Sequence, residues 1–295
     1  MIGRRYEIEG RSVMITGGGR GIGADAARRL VERGARVALV DLDREAVEAT
    51  ATELGDAAVP FVADVTDRPA LETAVAGAVE RLGGLDVVIA NAGISGAPQT
   101  VAAIDPAEFE RVIEVNLLGV WRTARAALPH VVERKGYILP IASLAAAVPG
   151  PLIAAYVASK HGVDGFARSL RMELAHTGTR VGVGYFGFID TDMVRDAFAD
   201  PAVATGMNSI PWPLAKPVPV GAAGAAIVRG VERRANRVYA PRWVTAAVSL
   251  RGLGGPIEAV AARDPHLRRA LCEAQDRAAA EAPAATPDEL EGVAS

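Results

Sequence analysis

Tyr156 and Lys160 are four residues apart in the stretch YVASK, so a helix would present both side chains on one face. A free tyrosine has a pKa of about 10, which suits acid–base chemistry near neutral pH poorly. A lysine ammonium within a few ångströms favours the phenolate and lowers that pKa. The pair could therefore exchange a proton with a substrate oxygen. Taken alone, the stretch is more typical of an exposed helical pair.

A glycine-rich turn near the start of the chain, TGGGRGIG (residues 16–23), separates the apolar run SVMIT from the stretch ADAARRLVERG. Glycines let a backbone approach a pyrophosphate, and the N-terminus of the following helix stabilises its charge. Asp41 follows Gly23 by eighteen residues, at the end of the next apolar run, where a carboxylate accepts hydrogen bonds from ribose hydroxyls. A merely tight turn would not require that acid, so the arrangement indicates a dinucleotide site.

Short β-branched runs alternate with longer helical patterns along most of the chain. Strands are predicted at residues 12–16, 35–40, 58–63, 85–90, 136–142, 180–186 and 236–240, and helices near 22–33, 43–54, 67–82, 106–133, 153–176 and 220–234. Alternating strands and helices form right-handed βαβ units, in which helices cover a parallel sheet. We therefore predict an α/β fold: a doubly wound sheet of about seven parallel strands with helices on both faces.

The organisation along the chain predicts a single domain over residues 1–245 and a helical C-terminal extension over 246–281. Prolines interrupt residues 192–219, which we interpret as a loop or lid, because loops of that length are usually functional or disordered. The final segment, 282–295, is polar and is expected to be disordered.

Further motifs extend this pattern, and together they resemble the short-chain dehydrogenase/reductase family between residues 10 and 241. The family fingerprint TGxxxGxG corresponds to Thr16, Gly17, Gly21 and Gly23, and it is followed in order by Asp64-Val65, Asn91-Ala92-Gly93, Asn116, Ser143 and Tyr156-x-x-x-Lys160. The resemblance implies a Rossmann-type fold. It also implies an oxidoreductase that transfers hydride between a nicotinamide cofactor and a secondary alcohol or ketone.

The resemblance assigns catalytic roles to four residues. Tyr156 would be the general acid or base, and Lys160 would also hold the nicotinamide ribose. Ser143 would bind the reacting oxygen, although a serine after a strand can simply cap a turn. Asn116 would belong to a relay between Lys160 and solvent, or would only satisfy a kink in an apolar helix.

The resemblance also implies a set of cofactor-binding residues. Asp64 would bind the adenine amino group, unless it is only a solvated acid at a strand end. Phe186 stands where the family has a proline, directly before the segment GFIDTDM that resembles the nicotinamide amide site. The complete predicted set is Gly17, Arg20, Gly21, Ile22, Gly23, Asp41, Asp64, Val65, Asn91, Ala92, Gly93, Tyr156, Lys160, Ile189 and Thr191.

The choice between NAD and NADP depends on competing charges. Asp41 would accept the adenosine ribose hydroxyls and repel a 2′-phosphate, whereas Arg20 or Arg44 could attract one. We predict NAD, because the repulsion between a 2′-phosphate and the carboxylate at the ribose should outweigh the attraction of a mobile arginine.

The apolar stretch MNSIPWPLA in the lid suggests a medium or large hydrophobic substrate, such as a steroid-like or aliphatic alcohol. One alternative is an NADPH-dependent ketoreductase of acyl-thioester type. Another is a catalytically silent cofactor-binding scaffold, although a scaffold would not need the serine, tyrosine and lysine together. A third is peripheral membrane attachment through the segment after Pro241, which its glycines and a proline disfavour.

Composition excludes several other classes of protein. The net charge of −3 and the interspersed arginines argue against a nucleic-acid partner. Cys272 is the only cysteine, and the N-terminus has no apolar signal region, which together indicate a cytoplasmic protein. The scattered histidines predict no metal site, and prolines interrupt the best candidate for a membrane span. The family resemblance implies a homodimer or homotetramer.

Overall fold

A computed structural model describes residues 5–253, 255, 259 and 263–281. Its strands are β1 (Ser12–Thr16), β2 (Arg36–Asp41), β3 (Ala58–Val62), β4 (Val87–Ala90), β5 (Tyr137–Pro140), β6 (Arg180–Val181), β7 (Gly184–Phe186) and β8 (Val238–Ala240). Its helices are α1 (Gly21–Val31), α2 (Arg44–Leu54), α3 (Arg68–Leu82), α4 (Pro106–Ile113), α5 (Gly119–Glu133), α6 (Ala154–Glu173), α7 (Asp192–Ala199), α8 (Pro201–Met207), α9 (Trp212–Ala215), α10 (Val220–Arg233), α11 (Val244–Ser249) and α12 (Pro265–Glu281).

The central sheet is parallel, with the strand order β3-β2-β1-β4-β5-β6, and β7 pairs with β8 in a two-stranded parallel continuation. Nearly every residue of β1, β2, β4 and β5 is buried, as expected for strands covered on both faces. The predicted doubly wound α/β fold is confirmed.

The predicted strand at 180–186 is divided, and this changes the strand count. Gly182 donates its backbone N–H to the carbonyl of Ile138 on β5, whereas Val183 donates to the carbonyl of Asn236 before β8. A β-carbon on Gly182 would lie 2.0 Å from the hydroxyl oxygen of Tyr137. The chain therefore changes its neighbour at this glycine, and an isolated bridge from Ile141 to Gly184 joins the two sheets.

Local signals explain where the helices begin. The side chains of Asp43, Asp67 and Asp105 accept hydrogen bonds from backbone N–H groups at the starts of α2, α3 and α4. Such capping satisfies donors that have no partner within the helix. The predicted helix over 106–133 is interrupted by a π-helical turn at Glu114–Leu118, between α4 and α5.

The segment at 192–219 differs from the irregular loop that its prolines suggested, because it contains the short helices α7, α8 and α9. Pro201 occupies the first turn of α8, where its missing N–H costs nothing, and Asp200 caps that helix. From here on, the lid means residues 192–209, which comprise α7, α8 and the turn after them, and not the whole predicted segment 192–219.

The predicted C-terminal extension contains α11 and α12. Val244 and Val248 of α11 are buried in the core, so this apolar face is already covered. The predicted disordered tail, 282–295, lies outside the described residues. In the described part of the chain, no helix combines the length and the apolarity needed to cross a membrane.

Candidate active site

A cleft of about 380 Å³ opens at the carboxyl ends of the parallel strands, where ligands bind in doubly wound sheets. It is lined by all of the predicted cofactor residues except Gly23. Of the predicted catalytic residues, Tyr156 and Lys160 line the cleft, whereas Ser143 and Asn116 lie behind its surface.

The glycines of TGGGRGIG have distinct functions in this turn. Gly17 and Gly21 adopt φ angles of +65° and +56°, which favour glycine. A β-carbon at Gly17 would lie 2.9 Å from the amide nitrogen of Asn91. A β-carbon at Gly23 would lie only 2.0 Å from the carbonyl oxygen of Gly17, so Gly23 allows α1 to pack against the turn. Gly23 therefore shapes the site without lining it.

The first turn of α1 provides the anion-binding end of the cleft. Arg20 precedes the helix, and no side chain caps the helix N-terminus. Its first N–H groups, together with the helix dipole, are suited to a pyrophosphate. The predicted dinucleotide therefore fits this donor set and the space that the glycines leave open.

Thr16 and Asn91 join the glycine turn to the loop after β4. The Thr16 hydroxyl accepts from the backbone N–H groups of Asn91 and Ala92, at 3.1 and 3.3 Å. The Asn91 amide donates to the carbonyls of Thr16 and Gly17, at 3.1 and 3.0 Å. Thr16 thus has a structural function that its place in the fingerprint did not by itself reveal.

Asp41 lies at the end of β2 and faces the glycine turn. Its carboxylate accepts from the backbone N–H of Gly19 at 2.9 Å and from that of Asp43 at 3.1 Å. Arg20 lines the cleft 3.7 Å from the carboxylate of Asp43, whereas Arg44 pairs with Glu48 on the surface of α2 and does not line the cleft. Of the two arginines considered for a 2′-phosphate, only Arg20 is therefore at the site.

Tyr156 lines the cleft, and the Ser143 side chain lies beside it. Burial raises the pKa of Tyr156, and the neighbouring Ser143 side chain lowers it by less, so the pKa is raised overall. This is opposite to the lowering that we predicted from Lys160. The Lys160 ammonium lies 5.5 Å from the centre of the Tyr156 ring and donates to the carbonyl of Ile141 at 3.1 Å. Burial also lowers the pKa of Lys160, to about 8.

Ser143 caps a turn, which is one of the two functions considered for it, and its binding of the reacting oxygen stays a prediction. Its hydroxyl accepts from the backbone N–H of Ala145 at 3.2 Å, which caps the short turn after β5. The same hydroxyl lies 3.4 Å from the carbonyl of Phe186, to which it donates. Phe186, the residue that replaces the family's proline, therefore ends β7 and presents its backbone carbonyl to Ser143.

Asn116 lies in the π-helical turn and is completely buried. Its amide oxygen accepts from the backbone N–H of Ile94 at 2.8 Å, and its amide nitrogen donates to the Ile94 carbonyl at 2.8 Å. The nitrogen also donates to Ser159, whose hydroxyl donates to the carbonyl of Tyr156. A β-carbon on Gly93 would lie 3.0 Å from the Asn116 oxygen. Asn116 therefore connects the loop after β4 to the helix that bears Tyr156.

The remaining predicted residues lie around the cleft. Asp64 accepts from the backbone N–H of Thr66 at 2.8 Å, which orients its carboxylate beside the buried Val65. Ile189 is buried and bridges to Val218. Thr191 stands at the start of α7.

Sequence reasoning missed part of the lining. Leu42 is 64% exposed at the cleft beside Asp41. Other residues that line it are Ile94, Arg111, Val115, Met193 and Val194. The apolar stretch at 207–215 instead lines a second cavity together with Phe198, so the lid reaches the cleft through α7. The four-residue spacing of Arg111 and Val115 could have predicted that these two face the cleft together, because residues four apart share a helix face.

The described residues bring no three His, Cys, Asp or Glu side chains together in a group suited to a metal. The polar groups at the cleft are instead a glycine turn, a strand-end carboxylate, a lysine, and a tyrosine with a serine side chain beside it. Together with the doubly wound sheet, they define a nicotinamide-dependent oxidoreductase.

Comparisons with known proteins identify the family. Residues 11–202 match the family model described as short chain dehydrogenase, and the chain belongs to this family. It is 38% identical over 206 residues to a (−)-trans-carveol dehydrogenase of Rhodococcus erythropolis, covering 64% of this chain and 74% of that protein. It is 38% identical over 191 residues to a mitochondrial borneol dehydrogenase of Lavandula x intermedia, covering 64% of this chain and 73% of that protein.

A solved structure supports the same assignment. The 3-ketoacyl-(acyl-carrier-protein) reductase of Brucella melitensis, complexed with NADH, superposes with a TM-score of 0.72 and 30% identity, over 79% of this chain and 97% of that one. The present protein is an oxidoreductase that transfers hydride between a nicotinamide cofactor and an alcohol or ketone.

Proposed function

We propose that the protein is an NAD-dependent dehydrogenase of apolar secondary alcohols, with Tyr156 as the general acid or base. The observation that carries this proposal is that Tyr156 and Lys160 line the same cleft as the glycine turn and Asp41, with the Ser143 side chain beside the tyrosine. Two adjacent hydroxyl groups can hold one substrate oxygen, and one of them can exchange its proton.

Each catalytic residue has a function that follows from its position. A nicotinamide dinucleotide held by the glycine turn and Asp41 would supply the hydride chemistry of the reaction. Ser143 orients the reacting oxygen, and Tyr156 takes or returns its proton. Lys160 lies on the same helix face one turn away, and its positive charge opposes the rise that burial causes in the Tyr156 pKa. Asn116 holds the loop that forms the wall beside them.

The preference for NAD rests on Asp41. Its carboxylate is fixed by the Gly19 and Asp43 N–H groups at the cleft, so a 2′-phosphate there would meet a fixed negative charge. Arg20 is exposed and close to Asp43, which offsets its attraction for a phosphate. We therefore propose that NAD is bound more tightly than NADP.

The proposed substrate class rests on the apolar lining and on the relatives. Ile94, Val115, Met193 and Val194 line the cleft. The named relatives act on carveol and borneol, both of which are compact, apolar secondary alcohols. The competing class is the ketone of an acyl thioester, suggested by the ketoacyl reductase among the similar structures. That class would require room for a long polar carrier at the mouth of the cleft.

The first experiment is calorimetric titration of the protein with NADH and, separately, with NADPH. We expect tighter binding of NADH. Asp41→Ala should weaken NADH about tenfold and reduce the discrimination against NADPH, because a ribose hydrogen bond to a charged group contributes about 1.5–3 kcal/mol. Asp56→Ala, which changes a solvent-exposed acid away from the cleft, is the control. Tighter NADPH binding by the wild type would favour the reductive alternative, and no binding of either would favour the scaffold.

The second experiment measures turnover of (−)-trans-carveol, borneol and 2-octanol with NAD⁺. Tyr156→Phe should lower kcat at least a hundredfold while leaving NADH affinity within about threefold, since general acid–base catalysis contributes about 10²–10⁴. Tyr239→Phe is the control, because Tyr239 stacks on Tyr185 and does not line the cleft. Full activity in Tyr156→Phe would refute the proposed mechanism. The homodimeric or homotetrameric assembly and the cytoplasmic location stay predictions.

A further inference from the structure

The C-terminal helix α12 packs directly on the lid. Ala270 and Ala274 of α12 are buried, as is Ala202 of α8. A β-carbon on Gly206 of α8 would lie 3.6 Å from that of Ala270, so small residues face each other where the two helices approach. The two helices therefore share a close apolar contact, with α12 on the outside of the lid.

Polar pairs flank this contact on both sides. The Arg277 guanidinium lies 2.5 Å from the carboxylate of Asp200, the residue that also caps α8. The Thr205 hydroxyl donates to Glu273 at 2.9 Å. The Ser209 hydroxyl donates to Asp264 at 2.8 Å. The lid is thus attached to α12 at the start, middle and end of the segment 200–209.

The contact between α12 and the lid also includes the segment between Ser143 and Tyr156. Leu152 lies between Ser143 and Tyr156 in the sequence, and it is buried in one cluster with Ala202, Leu271 and Ala274. Its backbone carbonyl accepts from the N–H of Gln99, in the loop that follows β4. A displacement of α12 would therefore release both the lid and the loop that precedes the catalytic tyrosine.

The inner side of the lid faces the cleft. Met193 and Val194 of α7 line it, and Phe198 at the end of α7 packs edge-on against Phe188, with ring centres 5.3 Å apart. Asp200 is the single residue between α7 and α8. A force on Asp200 is therefore transmitted to the helix that lines the substrate side.

We propose that Arg277 is a positioning residue for the substrate, because through Asp200 it holds the lid in the conformation that binds the alcohol. This inference rests on the proposed function. The glycine turn and Asp41 are held by β1, β2 and α1, whereas Arg277 pairs with Asp200 of the lid. We therefore expect the loss of Arg277 to affect substrate binding more than dinucleotide binding.

The test is Arg277→Gln, with Arg277→Lys as the conservative variant and Arg269→Gln, an exposed arginine on the same helix, as the control. With carveol as the substrate, we expect KM to rise about fivefold, as for loss of a partly exposed ion pair that contributes about 1 kcal/mol. We expect kcat and the NADH dissociation constant to stay within about twofold of the wild-type values. Arg277→Lys should recover at least half of the lost affinity, and Arg269→Gln should resemble the wild type.

Hydrogen exchange of residues 192–209 with NADH bound provides a readout that does not depend on turnover. Exchange should be faster in Arg277→Gln than in the wild type and unchanged in Arg269→Gln. Ala270→Leu, which pushes the helices apart, should produce the same changes in KM and exchange without removing a charge. Unchanged exchange in Arg277→Gln would overturn the inference, and so would faster exchange with an unchanged KM. If the wild type oxidises none of the alcohols, the proposed function fails, and the exchange result alone supports or overturns the attachment of the lid.

Discussion

Replacing Lys160 by Met should make the protein more stable and inactive. Lys160 is almost completely buried, and burial lowers its pKa from the ordinary 10.5 to about 8. That difference, at about 1.4 kcal/mol for each pKa unit, corresponds to about 3 kcal/mol of destabilisation when the buried lysine is charged. The ammonium also donates one hydrogen bond, to the Ile141 carbonyl, which offsets about 1 kcal/mol. The net expectation at pH 7 is a gain of about 2 kcal/mol in Lys160→Met.

The dependence on pH identifies the cause. Between pH 8 and pH 10.5 the unfolded chain binds more protons at Lys160 than the native protein does, so the wild type gains stability as the pH rises. In the wild type, the destabilisation by the buried charge is complete below pH 8 and falls to about 1 kcal/mol at pH 10. At pH 10 it therefore equals the contribution of the hydrogen bond that Lys160→Met loses. The advantage of Lys160→Met should therefore fall from about 2 kcal/mol at pH 7 to about zero at pH 10.

Urea denaturation followed by circular dichroism at both pH values measures this difference. Lys135→Met, at an exposed lysine, is the matched control and should differ from the wild type equally at pH 7 and pH 10. Oxidation of carveol should be lost in Lys160→Met only. If the difference in stability between Lys160→Met and the wild type is the same at both pH values, the reasoning about the buried charge is wrong.

Two further predictions test the scaffold of the cleft. Gly23→Ala should lower the free energy of unfolding by about 2 kcal/mol or more and abolish NADH binding, because its β-carbon would collide with the Gly17 carbonyl. Gly165→Ala, at a helical glycine with open space around it, should instead raise the free energy of unfolding by about 1 kcal/mol. Unfolding in urea and titration with NADH measure both glycine variants. Asn116→Leu should cost about 1–3 kcal/mol, since it removes two hydrogen bonds to the part-buried backbone of Ile94, and should raise the NADH dissociation constant. Unfolding in urea and titration with NADH would check both effects, and wild-type values for both would contradict the role we assign to Asn116.

The sequence was sufficient for the parts of the site that are local. The glycine turn, Asp41, and the spacing of Tyr156 and Lys160 depend on short-range geometry, which motif and periodicity report directly. Their arrival at one cleft follows from the parallel sheet, whose carboxyl strand ends meet at one edge.

Other features depended on contacts that no local pattern reports. The Lys160 ammonium donates to the Ile141 carbonyl, and burial of the Tyr156 hydroxyl raises its pKa, whereas we predicted a lowering from the lysine charge. The division of the strand at Gly182 follows from packing against Tyr137, distant in sequence. The helices of the lid are supported by α12. Sequence periodicity could predict that α12 is a helix, but not that it packs on the lid.

The change of neighbour at Gly182 gives the two sides of the cleft different strand partners. The dinucleotide side is built on β1, β2 and β4, whereas β7 carries Phe186 and pairs with β8. The two sides still share one apolar core, because Phe186 and Ile189 pack in the same buried cluster as Ile15 and Leu39. A hybrid enzyme joined at Gly184 would therefore acquire a new substrate side only if the apolar residues on both sides of the junction were matched.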